Sequence, residues 1–366
     1  MLRSMAIVSL RFSPAHVSHL MAYGKMLAEA GCAVQYLLDE PYLSFADFSA
    51  VAPAISVKQY RKEPGRFAFD AALFYNASLE NAIVARQMRQ HGIEVLYVFH
   101  EPVPIRYRLA EGWKEILKLI VAKAASLAML RQSSAVLVAS QYARGLYDRY
   151  YARYNPNVFT LPLLFDDETG ASTSGIDNRR YFSFIGLALK AHDFEGFIRF
   201  VKYAMRAGST IPFAIATRTD LTSLLVTDKE LARYAQQGMV RIQHGRMLSN
   251  DEINAFTAES FCIWNIYTCA TQSGALVRSF MTGTPVLANT AGSFSEFVHP
   301  GCNGEIVADS HRYAAILQAA ETIRNAVPLY SAGARKTFLD TFYYKANFKR
   351  FEIILALNEK EQPQCA

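Results

Sequence analysis

With 366 residues the chain exceeds the roughly 250–300 at which a single hydrophobic core stops growing, so two domains are expected. A composition of 51% hydrophobic and 19% charged residues excludes a disordered chain, and no run reaches the roughly 18–20 apolar residues needed to cross a bilayer. The net charge of +6 permits anionic donors, acceptors or a lipid surface but selects none of them, and no RNA- or DNA-binding motif is present.

The opening apolar run "MAIVSL" is short and ends before Arg11. It reads as a first buried strand rather than a signal peptide, which predicts a cytoplasmic protein. Next comes "RFSPAHVSHLM", where Ser13 and Pro14 fit the start of a helix from about His16 to Ala30. Amides there can face an anion or a sugar hydroxyl, which makes Ser13 and His16 acceptor-side candidates; a plain cap with surface histidines is the alternative. The loop has no GxGxxG dinucleotide fingerprint.

"AVQYLL", "AALFY" and "EVLYVF" continue as strands. His100-Glu101-Pro102 then follows the fourth strand of this reading. A histidine and an acid at a strand's carboxyl end can bind sugar hydroxyls or take a proton, so His100 and Glu101 are the catalytic candidates. "WKEILKLIVAKAASLAMLRQ", Trp113 to Gln132, alternates basic and apolar residues and can lie on an anionic membrane surface; an ordinary packed helix with a solvated basic face is the alternative. "AVLVAS" and a helix through Tyr147 close a first α/β domain over residues 1–165.

The polar stretch "DDETGASTSGIDN" predicts a linker over 166–180. A second alternation of strands ("YFSFIGL", "PFAIAT", "MVRIQH", "FCIWNIY", "TPVLAN", "GEIVA") and helices predicts another α/β domain over 181–330. Gly186 ends the first of these strands and Lys190 lies in the next loop, suited to a diphosphate as a point charge. Arg218 and His244 follow two further strands, where a base, ribose or phosphate can rest. Gln272, Ser273 and Gly274 precede a short helix whose first-turn amides form an anion site. Residues 331–366 read as a helical segment crossing back to the first domain. The cysteines, Cys32, Cys262, Cys269, Cys302 and Cys365, have no metal-type spacing and read mostly as small core residues.

In order along the chain, "VLYVFHEP", "SSAVLVASQYARGLY", "VFTLPLLFDDE", "FSFIGLALKAHDF", "RIQHGRMLSNDEINAF" and "SGALVRSFMTGTPVLANTAGSFSEFVHPGCNGEIV" resemble the GT-B-fold glycosyltransferases, in particular the large retaining, family 4-like group. The last block carries the most, through Gly283, Pro285, Val286, Gly292, Glu296, Asn303 and Gly304. The resemblance implies two Rossmann-like doubly wound domains facing across a cleft. It also implies a nucleotide-diphosphate sugar as donor substrate, neither cofactor nor bound metal, and a glycan or lipid-linked acceptor of bacterial surface-polysaccharide assembly. Lys190 matches the phosphate-binding lysine, His100 a histidine near the donor sugar, and Ser273-Gly274 the diphosphate loop.

Three departures stand out. Ser13-Pro14-Ala15-His16 replaces the glycine-rich first loop, Leu187 stands where an arginine is usual, and Ala270 and Arg278 replace two glutamates. Arginine only donates, so Arg278 cannot accept from ribose hydroxyls, although it can attract phosphate. Stereochemistry, sugar, base and acceptor stay open, as do a non-catalytic nucleotide- or carbohydrate-binding role and a nucleotide-sugar epimerase.

Overall fold

A computed structural model describes residues 4–62, 69–103, 113–169, 178–268 and 270–360. The chain forms two compact units: Met1–Asp166 with Phe342–Ala366, and Asp167–Thr341.

The first unit holds seven parallel strands in the order β3-β2-β1-β4-β5-β6-β7. They are β1 (Ser4–Ser9), β2 (Ala33–Leu38), β3 (Ala54–Ser56), β4 (Ala71–Phe74), β5 (Glu94–Val98), β6 (Ala135–Val138) and β7 (Val158–Thr160). The edge strands β3 and β7 are three residues each, too short to show a period, and were missing from the sequence reading. His100 therefore follows the fifth strand of the chain, not the fourth.

Helices cover both faces of this sheet, which is why its central strands are apolar throughout. Along β1, Met5 and Ile7 enter one apolar layer and Ala6 and Val8 the other, as the two-residue strand period requires. The first layer adds Leu20 and Tyr23 of the helix Val17–Glu29 and Phe351 and Ile354 of the C-terminal helix Tyr344–Lys360. The second adds Val84 and Met88 of the helix Leu79–Gln90 with Met129 and Leu130 of the helix Trp113–Gln132.

The second unit holds six parallel strands in the order β10-β9-β8-β11-β12-β13. They are β8 (Tyr181–Ile185), β9 (Phe213–Ala216), β10 (Val240–Gln243), β11 (Ser260–Asn265), β12 (Val286–Asn289) and β13 (Gly304–Val307), and they coincide with the six expected runs. One face is aromatic: Phe182, Phe197, Phe200, Phe213 and Trp264 pack together, with Phe200 stacked on Trp264 at 5.8 Å between ring centroids. Burying each such ring contributes about 1.5–3 kcal/mol.

The end of the chain is not one helical segment. A helix Val327–Thr337 gives way to a π-turn, Phe338–Phe342, before the helix Tyr344–Lys360 begins. Within the first unit the amide of Phe165 donates to the Phe342 carbonyl and that of Tyr344 to the Phe165 carbonyl, each at 3.0 Å. Three consecutive acids follow. Asp166 pairs with Lys25, Asp167 with Arg335, and Glu168 with Arg278. Of the expected linker, residues 170–177 lie outside the described residues, as do Cys269 and Cys365.

Candidate functional site

In each sheet the chain order reverses between two central neighbours, β1 and β4 in the first unit and β8 and β11 in the second. Ligands of open α/β sheets bind outside the strand carboxyl ends at such switch points. The two rims are described separately.

At the first rim, side chains hold the loop after β1. The amides of Leu10, Phe12 and Ser13 donate to Asn81 Oδ1, Asp39 Oδ2 and the Tyr42 hydroxyl at 3.0–3.1 Å. Asn76 Nδ2 donates to the Arg11 carbonyl at 3.0 Å, and Asn81 Nδ2 to the Asn76 carbonyl at 2.7 Å. These bonds do the work of a glycine-rich turn with ordinary residues. Ser13 does not cap with its hydroxyl, and Pro14 opens a 3-10 turn, Pro14–His16, ahead of the helix.

That turn delivers His16 to the switch point. Its ring stacks on His100 at 5.3 Å and meets Tyr75, just past β4, edge-on at 5.1 Å. His100 Nε2 donates to the Tyr75 carbonyl at 2.6 Å. His19 Nδ1 donates to the Leu164 carbonyl at 2.9 Å, and its ring stacks on Tyr75 at 5.6 Å. His16 Nδ1 and the Tyr75 hydroxyl are buried without a hydrogen-bond partner among the described residues. Burial, reinforced by His100, His19 and Arg11, lowers the His16 pKa from 6.5 to about 2. A base that weak is unsuited to taking a proton at neutral pH, so His16 serves as a neutral hydrogen-bonding ring. Glu101 lies exposed beside His100.

At the second rim the loops are tied to one another. The Ala188 amide donates to Thr219 Oγ1 at 3.2 Å, and the Gly245 amide to the Thr219 carbonyl at 3.2 Å. The Leu221 amide donates to His244 Nδ1 at 3.1 Å, and the Thr268 amide to the Ala191 carbonyl at 3.0 Å. Gly186, Lys190, Arg218 and His244 therefore stand on one connected rim, with Lys190 and Arg218 exposed. Gly186 has φ +136°, a conformation that favours glycine.

Ser273 caps the helix Gly274–Met281, its hydroxyl accepting the Leu276 amide at 3.2 Å and donating to Asn265 Oδ1 at 3.2 Å. Gln272 directly precedes this cap. The Tyr267 hydroxyl lies 3.4 Å from Ser273 Oγ, and its ring stacks on His192 at 4.7 Å. His192 Nδ1 donates to the Leu187 carbonyl at 2.9 Å, and burial lowers its pKa, leaving a neutral ring with Nε2 as acceptor. Asn289 braces this loop, Nδ2 donating to the Tyr267 carbonyl at 2.8 Å. Gly292 (φ +66°) is fixed by contact: a Cβ there would lie 1.4 Å from the Ala270 carbonyl oxygen.

Arg278 points elsewhere. Its guanidinium donates to Glu168 at 3.0 Å and to Asn254 at 2.5 Å, with Asn250 at 3.3 Å. Its side chain faces the helix Asn250–Ala258 and the start of the linker, where an arginine fork satisfies a partly buried carboxylate and a buried amide. Among the described residues, no group of three His, Cys, Asp or Glu side chains has the makings of a metal site.

Neither a family model nor a curated protein matches the sequence. Solved structures do match. Anabaena Alr3699/HepE, solved with UDP and glucose, is 12% identical and superposes with a TM-score of 0.69 over 97% of this chain and 100% of its own. The sucrose-phosphate synthase of Thermosynechococcus elongatus is 13% identical, with a TM-score of 0.68 over 98% and 100%. A glycosyltransferase of Rickettsia africae is 10% identical, with a TM-score of 0.69 over 98% and 99%. This chain has the GT-B fold of these proteins. In that fold, position 270 lies in the β11 loop and position 278 one turn inside the following helix.

Sequence reasoning missed Tyr75, Tyr267, His192, Asn265 and Asn289, and its alternative placed His19 on the surface, where the structure buries it. The one available signal was a polar or aromatic residue directly after an apolar strand, as in "LFYN" and "CIWNIY".

Proposed function

We propose that the chain transfers a glycosyl group from a nucleotide-diphosphate sugar, bound by the second unit, to a glycan or lipid-linked acceptor, bound by the first. The observation that carries this reading is the serine-capped start of the helix Gly274–Met281 at the second switch point, on the same rim as the Lys190 loop. Helix-end amides and a lysine neutralise a departing diphosphate, a task that needs no metal. The full-length GT-B likeness, and the presence of UDP and glucose in the Anabaena relative, support the donor class.

Gly186, Lys190, Gln272, Ser273 and Gly274 are the proposed diphosphate and sugar contacts, and Arg218 and His244 the proposed base or ribose contacts. Arg278 belongs to this set only through the fold it stabilises. On the acceptor side, the neutral His16 and Tyr75 suit an uncharged hydroxyl, with Ser13 in the loop beside them. His100, with Glu101 next to it, is the proposed catalytic group. The family 4-like affinity, bacterial surface-polysaccharide synthesis and a cytoplasmic position on the inner face of the membrane belong to the same reading.

A non-catalytic nucleotide- or carbohydrate-binding role is the second reading, favoured by Ala270 and by the engagement of Arg278 with Glu168 and Asn254. A thermal-shift screen with UDP, GDP and their sugars tests the donor site, and stabilisation by none of them contradicts the transfer reading. Donor turnover with and without acceptor then separates enzyme from binder.

A further inference from the structure

The helix Trp113–Gln132 is buried only along its second half. None of the described residues from 113 to 124 is buried, and Ala125 is the first that is. That exposed half carries Trp113 at 70% exposure, Leu117 at 52%, Ile120 at 46% and Val121 at 41%. These residues recur at intervals of four, three and one, which places Leu117, Ile120 and Val121 on one helical stripe below Trp113. The helix Leu79–Gln90 packs beside it and exposes Leu79 and Ile83, each at 55%.

The β4–helix–β5 and β5–helix–β6 connections bring both helix starts to the carboxyl edge of the sheet, the edge that carries His16, Tyr75 and His100. Basic groups frame this apolar surface: Lys118 and Arg86 are exposed on it, and the helix Trp113–Gln132 carries four basic residues against one acidic. Lys123 is turned away, donating to the Tyr151 hydroxyl.

We infer that the first half of the helix Trp113–Gln132, with Leu79 and Ile83, docks on an anionic lipid bilayer. A tryptophan at the end of an apolar stripe with lysine and arginine at its margins matches the polarity gradient of a headgroup boundary. Among the described residues no helix is long and apolar enough to cross a membrane, so the contact is one of surface insertion. The inference rests on the transfer reading for its purpose: a lipid-linked acceptor would be presented at the edge holding His100.

The chain has two tryptophans, and Trp264 is buried in the second unit, so exposed-tryptophan emission reports on Trp113. On titration with phosphatidylcholine vesicles containing phosphatidylglycerol, emission should shift to the blue. Partitioning should be about thirtyfold stronger than onto phosphatidylcholine alone, as two surface cations predict. The L117S/I120S double variant should lose vesicle binding, K118E should lose the anionic preference, and the L329S control should keep both. All of these substituted side chains are exposed, so unfolding midpoints should match wild type. No blue shift with either vesicle, or equal partitioning by the double variant, overturns the inference. So does a wild-type dimer that the double variant converts to monomer, because a second copy then covers the face. Stabilisation by UDP, measured on the same samples, separates the two proposals: vesicle failure with UDP binding intact removes only the docking surface, and the converse removes only the transfer reading.

Discussion

At the first rim the loop backbone hangs on Asn76, Asn81, Asp39 and Tyr42, and the groups left facing one another are the rings of His16, His100 and Tyr75. At the second rim, loops are tied largely by backbone amides and hydroxyls, and what faces outward is a capped helix start with exposed Lys190 and Arg218. Both rims lie at a switch point of the same kind of sheet. The difference teaches that the fold supplies only the place: aromatic rings gathered at strand ends make a site suited to uncharged hydroxyls, and helix-end amides with a lysine make one suited to anions.

The comparison breaks most readily at His100. His100→Ala should lower turnover by about a hundredfold or more while leaving UDP-induced stabilisation unchanged, because the two properties belong to different rims. Loss of UDP binding in this variant would show that the rims are not separate.

Arg278→Ala should destabilise the second unit by about 2 kcal/mol in urea unfolding, because it leaves the partly buried Glu168 carboxylate and the buried Asn254 amide without their donor. Its UDP affinity should stay near wild type. A large loss of affinity without loss of stability would return Arg278 to the donor site.

Lys190→Ala should have the opposite profile: unchanged stability and about tenfold weaker UDP binding, equivalent to about 1.4 kcal/mol.

The last effect concerns pH. His16 is neutral in the folded chain down to about pH 2 but takes a proton below about pH 6.5 when unfolded, so folding stability is complete above pH 6.5 and falls as pH drops. One such group contributes a slope of about 1.4 kcal/mol per pH unit. His16→Asn should flatten the stability curve between pH 6.5 and 5 by about 2 kcal/mol; identical curves would mean that the ring protonates freely.

The strands were legible because fully covered parallel strands are continuous apolar runs, and those of β1, β2, β4, β5, β6 and β8–β13 could be read directly. β3 and β7 were not legible, since three residues show no period. The rim positions of Gly186, Lys190, His244 and Ser273 followed from strand ends, a local feature. The partners of Arg278 did not, because Glu168 stands 110 residues away and Asn254 stands 24 away. The ring cluster of His16, Tyr75 and His100 was illegible for the same reason: three separate strand ends meet only when the sheet order is known. Gly292 was legible as a family feature, but its cause, the Ala270 carbonyl against its Cα, needed coordinates.

The central claim is that the second rim holds a nucleotide diphosphate through the Ser273-capped helix and Lys190. Calorimetric titration of UDP into wild type, Lys190→Ala and Ser273→Ala tests it most directly. The account predicts binding to wild type that weakens about tenfold in Lys190→Ala and less in Ser273→Ala, whose cap also contributes about 1 kcal/mol of stability. Binding of equal strength in all three proteins would contradict it.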